Sequence, residues 1–171
     1  MAKNTEKNTE KNAAEKIEKK PGSVPENAPP GLFINAQYLK DLSFENPNPL
    51  DAYKKDAEKP NIQVNVNTVV KKLPDNAFEV TLDIKTEAKN KDKIAFIAEV
   101  SYAGIFTLNK VPTEHEKPLL LIEAPRMLFP FARNILAETT RDGGYPPLML
   151  NPIDFAALFH KQTEKEKKKE N

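Results

Sequence analysis

The sequence predicts an α+β fold: a four-stranded antiparallel sheet with C-terminal helices packed on one face. Two observations carry this expectation. Four segments between Ile34 and Leu108 alternate apolar and polar residues with the period of a half-buried strand. After Leu108 the apolar spacing lengthens to that of a helix, so the strands come first and the helices are gathered behind them.

The first strand reads as Ile34–Glu45. Ile34, Ala36, Tyr38, Leu42 and Phe44 are placed on one side of it, with Asn35, Gln37, Asp41, Ser43 and Glu45 on the other. Pro47 and Pro49 end it. The second strand alternates Ile62, Val64, Val66 and Val70 with Gln63, Asn65 and Asn67. The third alternates Phe78, Val80, Leu82 and Ile84 with Glu79, Thr81 and Asp83. A turn at Leu73–Asn76 joins these two, because Pro74 and Asp75 are turn formers. The fourth, Lys93–Leu108, is apolar on both faces except at Glu99 and Ser101, and pairs with the third through a turn at Asn90–Asp92. A sheet with helices on one side needs its other face covered, and a second copy through an isologous contact is the expected cover.

A capping-box pattern at Thr113–Glu116 predicts a helix start. Pro125 and Pro130 are expected to break that helix into pieces. Met127–Thr140 carries Leu128, Phe131, Ile135 and Leu136 at helical spacing and stops at Asp142-Gly143-Gly144. A crossing with Tyr145, Pro146 and Pro147 follows. Asn151-Pro152 then reads as the cap of a last helix holding Phe155, Leu158 and Phe159.

The chain has 171 residues, enough for one ordinary domain with tails. Residues 1–30 read as a disordered tail, residues 31–160 as the domain and residues 161–171 as a charged tail. The N-terminal tail repeats KNTE twice from Lys3 and has almost nothing to bury. It lacks the apolar core of a secretory signal. No run of 18 apolar residues occurs, which argues against membrane insertion.

The 26 Lys and Arg nearly balance 25 Asp and Glu, and only three Arg occur, a poor supply for nucleic-acid binding. The absence of Cys excludes thiolate catalysis, disulfides and cysteine metal sites, and fits a cytoplasmic address. His115 and His160 are the only histidines, in a charged helix start and near the tail, and neither is expected to do chemistry. No nucleotide-binding loop, nucleophile elbow or zinc motif appears, so neither an enzyme nor a cofactor is expected. Asp41, Glu45 and Glu99 lie on polar strand faces. The pattern alone favours a solvated sheet surface there over an acidic docking patch.

The segments NAQYLKDLSFENPNP (Asn35–Pro49), AFIAEVSYAGIFTL (Ala95–Leu108) and APRMLFPFARNILAETTRDGGYPPLMLNPIDFAALF (Ala124–Phe159) resemble the SecB protein-export chaperone family, in the flavour of its alphaproteobacterial members. The resemblance implies a cytoplasmic homotetramer, a dimer of dimers. Such a protein holds unfolded precursor proteins without ATP and passes them to the translocation motor SecA. By motif, Asp41, Glu45, Ile97 and Glu99 match the positions that contact SecA. Phe96, Ala98, Val100 and Tyr102 match positions affecting tetramer assembly and client holding. Phe44, Phe129 and Phe131 are expected to line the client groove, because Phe and Met surfaces bind promiscuously. Two departures stand out: near-neutral charge where many members are acidic, and Ala103-Gly104 where the family often has two glycines. A SecB-like chaperone of a toxin–antitoxin system is the alternative within the fold. A small ligand-binding domain or enzyme is the alternative outside it.

Overall fold

The structure is a computed structural model and describes residues 28–53 and 59–169. Four strands, β1 (Gly31–Glu45), β2 (Asn61–Lys72), β3 (Ala77–Asn90) and β4 (Lys93–Asn109), form one antiparallel sheet in the order β1-β4-β3-β2. β2, β3 and β4 run as a meander. β1 crosses from one edge to the other before β2 begins, which gives Greek-key connectivity. The expected disorder of residues 1–30 falls mostly outside the described residues. Ala28 and Pro29 lie inside them, and the Asn109 amide donates to both carbonyls at 2.9 and 3.0 Å.

Both hairpin turns form where turn chemistry places them. Asp75 and Asn76 take φ of 57° and 55°, and Leu73 N–H reaches Ala77 O at 2.8 Å. Two central residues at positive φ match the right-handed twist of the flanking strands. Lys91 does the same work at φ 56° between β3 and β4.

β1 departs from simple alternation. Its register against β4 slips between Ile34 and Ala36 and again between Leu39 and Asp41, so Asn35 and Lys40 are bulges. Each bulge exchanges the faces. Ala36 and Tyr38 therefore sit with Asp41 and Glu45 on the outer face, not with Leu42 and Phe44 as period-2 counting places them. Leu39 joins the inner face opposite Tyr102.

The helical part is one continuous run: α1 (Thr113–Pro118), a π turn (Leu119–Glu123) and α2 (Ala124–Asp142). The prolines do not break it. Pro118 closes α1, Pro125 occupies the first turn of α2 with the wider π turn between them, and Pro130 lies inside α2, which continues through it to Asp142. Thr113 starts α1, yet its side chain makes no cap bond. The cap residue is Pro112, whose carbonyl accepts from His115 N–H at 2.9 Å. Likewise Asp154, rather than Asn151, caps α3 (Phe155–Lys169): its carboxylate accepts from Ala157 N–H at 2.9 Å. α3 runs to Lys169, well into the stretch read as a tail.

α2 lies on the inner face against β4 and β3. Leu128, Ala132 and Leu136 are fully buried there, beneath them Leu82, Ile84, Val100 and Phe106. Gly104 explains one departure in the sequence. A Cβ at that position would stand 2.7 Å from the Phe106 ring and 3.0 Å from Leu128 Cδ2. The neighbouring Ala103 points to the outer face, where its methyl is accommodated. Thr140 ties the crossing to the helix. Its buried hydroxyl donates to Leu136 O at 2.9 Å and accepts from Leu148 N–H at 2.9 Å.

Candidate functional site

A helix is roughly 10–12 Å across and strands are spaced roughly 4.8 Å apart, so one helix covers about two strands of four. α2 covers the central pair. The inner faces of both edge strands are left partly open. On the β2 side, Ile62 and Val64 are 37% and 44% exposed. On the β1 side, Ile34, Leu39 and Leu42 are exposed to a similar degree, next to Met127 and Phe131 on α2.

The β2 side is walled into a groove. The crossing after α2 turns back at Gly144, which takes φ 88°, and returns along β2. It brings Leu148, Met149, Leu150 and Ile153 alongside Ile62, Val64 and Val66, and Leu158 of α3 joins them. The cavity holds about 520 Å³. An open apolar trough beside an edge strand binds extended, apolar chain segments without demanding a fixed polar partner. Aliphatic residues on β2 and the crossing, together with Asn65 and Asn151, make this site. The aromatic content, which drew attention in the sequence, does not. The signal available was Ile62 and Val64 in a strand at the sheet edge, and edge position is a property of topology.

The aromatics expected to line a groove are not brought together. Phe129 is in the core, 6.1 Å edge-on to Phe155. Phe44 is half-buried, stacked 5.7 Å from Phe96 and packed on Gly143. Phe131 is exposed and stacks 5.9 Å from Tyr102 on the β1 side. Phe96, Ala98, Val100 and Tyr102 alternate along β4 on the face that meets α2. All four are buried within the chain's own core on the inner face of β4. They support α2 and the Phe44–Phe96–Tyr145 cluster.

The outer face carries a polar ladder. Asp41 pairs with Ser101, Ser43 with Glu99 and Glu45 with Ile97 across β1 and β4, so Asp41, Glu45, Ile97 and Glu99 share that face. Asp41 and Glu45 are exposed, and Ile97 and Glu99 half-exposed. Lys85 donates to Glu99, and Ser101 Oγ donates to Asp83 at 2.6 Å. The Glu99 carboxylate holds the Lys85 ammonium above its ordinary pKa. Further along, Tyr38 Oη donates to Glu79 at 2.5 Å and Lys40 Nζ at 3.0 Å. Ala103 and Thr107, on the same face of β4, are buried.

The Tyr38–Glu79 bond pushes the phenol up from 10.0 to about 12 and holds the Glu79 carboxyl below 4.5. A raised donor pKa contributes stability that is full below pH 10.0 and lost on the way to about 12. The lowered Glu79 contributes above pH 4.5 and is lost on acidification. Subtracting the ultraviolet titration of Tyr38→Phe from that of the native chain should therefore isolate one phenolate with its midpoint near 12. A midpoint at 10.0 would show that Glu79 does not hold the hydroxyl.

Among the described residues no cluster of His, Cys, Asp or Glu could hold a metal, and no helix is long and apolar enough to cross a membrane. Residues 25–166 match the family described as preprotein translocase subunit SecB. The chain belongs to the SecB family. Among its relatives is the protein-export protein SecB of Bradyrhizobium sp. (strain BTAi1), 48% identical over 85% of this chain and 90% of that one. The SecB of Rhodospirillum centenum is 48% identical over 85% and 87%, and that of Rhodopseudomonas palustris (strain TIE-1) 46% identical over 84% and 92%. The alphaproteobacterial resemblance seen in the sequence is thus shown. A solved SecB-like chaperone of Mycobacterium tuberculosis, in complex with a peptide of an antitoxin, has the same fold. It is 20% identical with a TM-score of 0.60, covering 71% of this chain and 90% of that one. The SecB family supports a chaperone role in protein export, and its members are generally not enzymes.

Proposed function

We propose that this SecB-family chain is an ATP-independent holding chaperone of the cytoplasm that keeps precursor proteins unfolded and delivers them to SecA. The observation that carries the reading is the open apolar groove between β2 and the crossing, Ile62, Val64 and Met149 at its mouth. Unfolded clients share only exposed apolar segments and extended backbone, and a groove of aliphatic side chains suits both. The peptide-bound SecB-like chaperone of the same fold agrees with a peptide ligand. Relatives at 46–48% identity named for protein export favour export over an antitoxin role.

In this reading SecA docks on the outer face at Asp41, Glu45, Ile97 and Glu99. Client groove and motor site then lie on opposite faces of one sheet, so both can be occupied together. Lys85 pairs with Glu99 on this face, and Asp41 and Glu45 are its exposed carboxylates. The chain works as a tetramer in which copies cover the apolar strip of Ile34, Leu39, Leu42, Met127 and Phe131. Grooves on several copies then hold one long client by avidity.

Light scattering tests the reading. The 19.2 kDa chain should read about 77 kDa alone. It should gain the mass of one denatured, slow-folding precursor and release it once the precursor folds. Charge reversal by Asp41→Lys with Glu45→Lys should abolish capture by SecA and leave client holding intact. A monomer that ignores unfolded protein would overturn the proposal. Undiminished SecA capture by the reversed variant would remove the outer face from it.

A further inference from the structure

The methionine at the mouth of the groove has a chemistry that its aliphatic neighbours lack. Met149 is 61% exposed, the most open apolar side chain of the groove, beside Ile62, Val64 and Leu150. The chain has no Cys and no Trp, and only three Met. Thioethers are therefore its most readily oxidised groups, with no thiol in the same chain to intercept the oxidant. Met127 is the other described methionine, 40% exposed on α2, away from the groove.

We infer that Met149 is an oxidation site at which hydrogen peroxide switches the groove to a form with weak client affinity. With peroxide, a sulfur lone pair attacks one oxygen. The S–O bond forms as the O–O bond breaks, and the hydroxide released takes the proton from the transferred oxygen to leave as water. Sulfur is oxidised by two electrons and peroxide is reduced. The product is a strongly polar sulfoxide in place of a flexible apolar side chain. Here it would stand among Leu148, Leu150 and Leu158, where a bound apolar segment must desolvate it without offering a donor in return. Oxidant reaches the sulfur without any opening of the fold, because the side chain already faces solvent. A thiol-dependent methionine sulfoxide reductase reaches it by the same route, which makes the switch reversible.

The inference rests on the groove being the client site, and the test separates the two. The full chain is treated with dilute hydrogen peroxide, sulfoxide is mapped by peptide mass, and affinity for a permanently unfolded client is measured before and after. Met149 should be oxidised ahead of Met127. Client affinity of the native chain and of Met127→Leu should fall about tenfold on treatment, and reductase should restore it. Met149→Leu, compared with its own untreated state, should change by less than about twofold. Equal losses in Met149→Leu and the native chain would overturn the switch, as would slower oxidation at Met149 than at Met127. Complete sulfoxide at Met149 with unchanged affinity would also overturn it. If in that last case Ile62→Asp still weakens binding, the groove stands and only the switch falls. If Ile62→Asp is silent too, the groove assignment falls with it.

Discussion

Replacing Ile62 and Val64 together by Asp should lower affinity for an unfolded client by about 30-fold or more while barely moving the melting temperature. Both side chains are more than a third exposed, so a carboxylate at either position stays hydrated in the free protein and costs the fold little. A client segment lying in the groove removes that hydration. It also loses the apolar contact of two branched side chains, each contributing about 1 kcal/mol when partly buried. The matched control is on the same strand. Gln63→Asp with Asn67→Asp adds equal charge to the opposite face of β2 and should leave client affinity unchanged. Fluorescence anisotropy with a reduced, carboxymethylated client reads both. Undiminished binding by the Ile62/Val64 variant would move the client site to the β1 strip around Leu39, Leu42 and Phe131.

Leu128→Ala should show the reverse pattern, a loss of about 3 kcal/mol of stability and a melting temperature lower by about 10 °C. Leu128 is 0% exposed, and its Cδ2 lies over the one β4 position where a Cβ does not fit, Gly104. Truncation leaves a cavity that neighbours cannot fill. The Phe106 ring on one side and the Ala124 and Ala132 methyls on the other are already in contact with buried partners. Since Leu128 does not reach the groove, client affinity at low temperature should stay near native. A chemical denaturation series measures the loss. A change under 1 kcal/mol would mean that α2 can settle onto the sheet, which the packing at Gly104 opposes.

The two variants together separate what the chain must do to fold from what it does to clients. Phe96, Ala98, Val100 and Tyr102 belong with Leu128 on the folding side. Substitutions there would disturb assembly or holding through α2, not through contact with a second molecule. The same distinction applies to Phe129, whose partner is Phe155.

Composition and period by themselves determined the α+β order, the four strands and both hairpin turns, and the family was legible through the resemblance of three segments between Asn35 and Phe159. Alternation is a local property, and a two-residue turn such as Asp75-Asn76 is set by which residues tolerate positive φ. Placing Asp41, Glu45, Ile97 and Glu99 on one face was also legible, because all four lie beyond the irregular part of β1. Tertiary structure alone decided the rest. The bulges at Asn35 and Lys40 inverted the faces of the residues before them, and nothing local marks a bulge in a strand of mixed residues. Pro118 and Pro125 were absorbed at a π turn and in a first turn, and Pro130 lies inside α2 without ending it, since packing on the sheet outweighs local propensity. The apolar groove exists because β2 lies at an edge that one helix is too narrow to cover. Strand order and helix width are relations between elements far apart in sequence, and no window along the chain contains them.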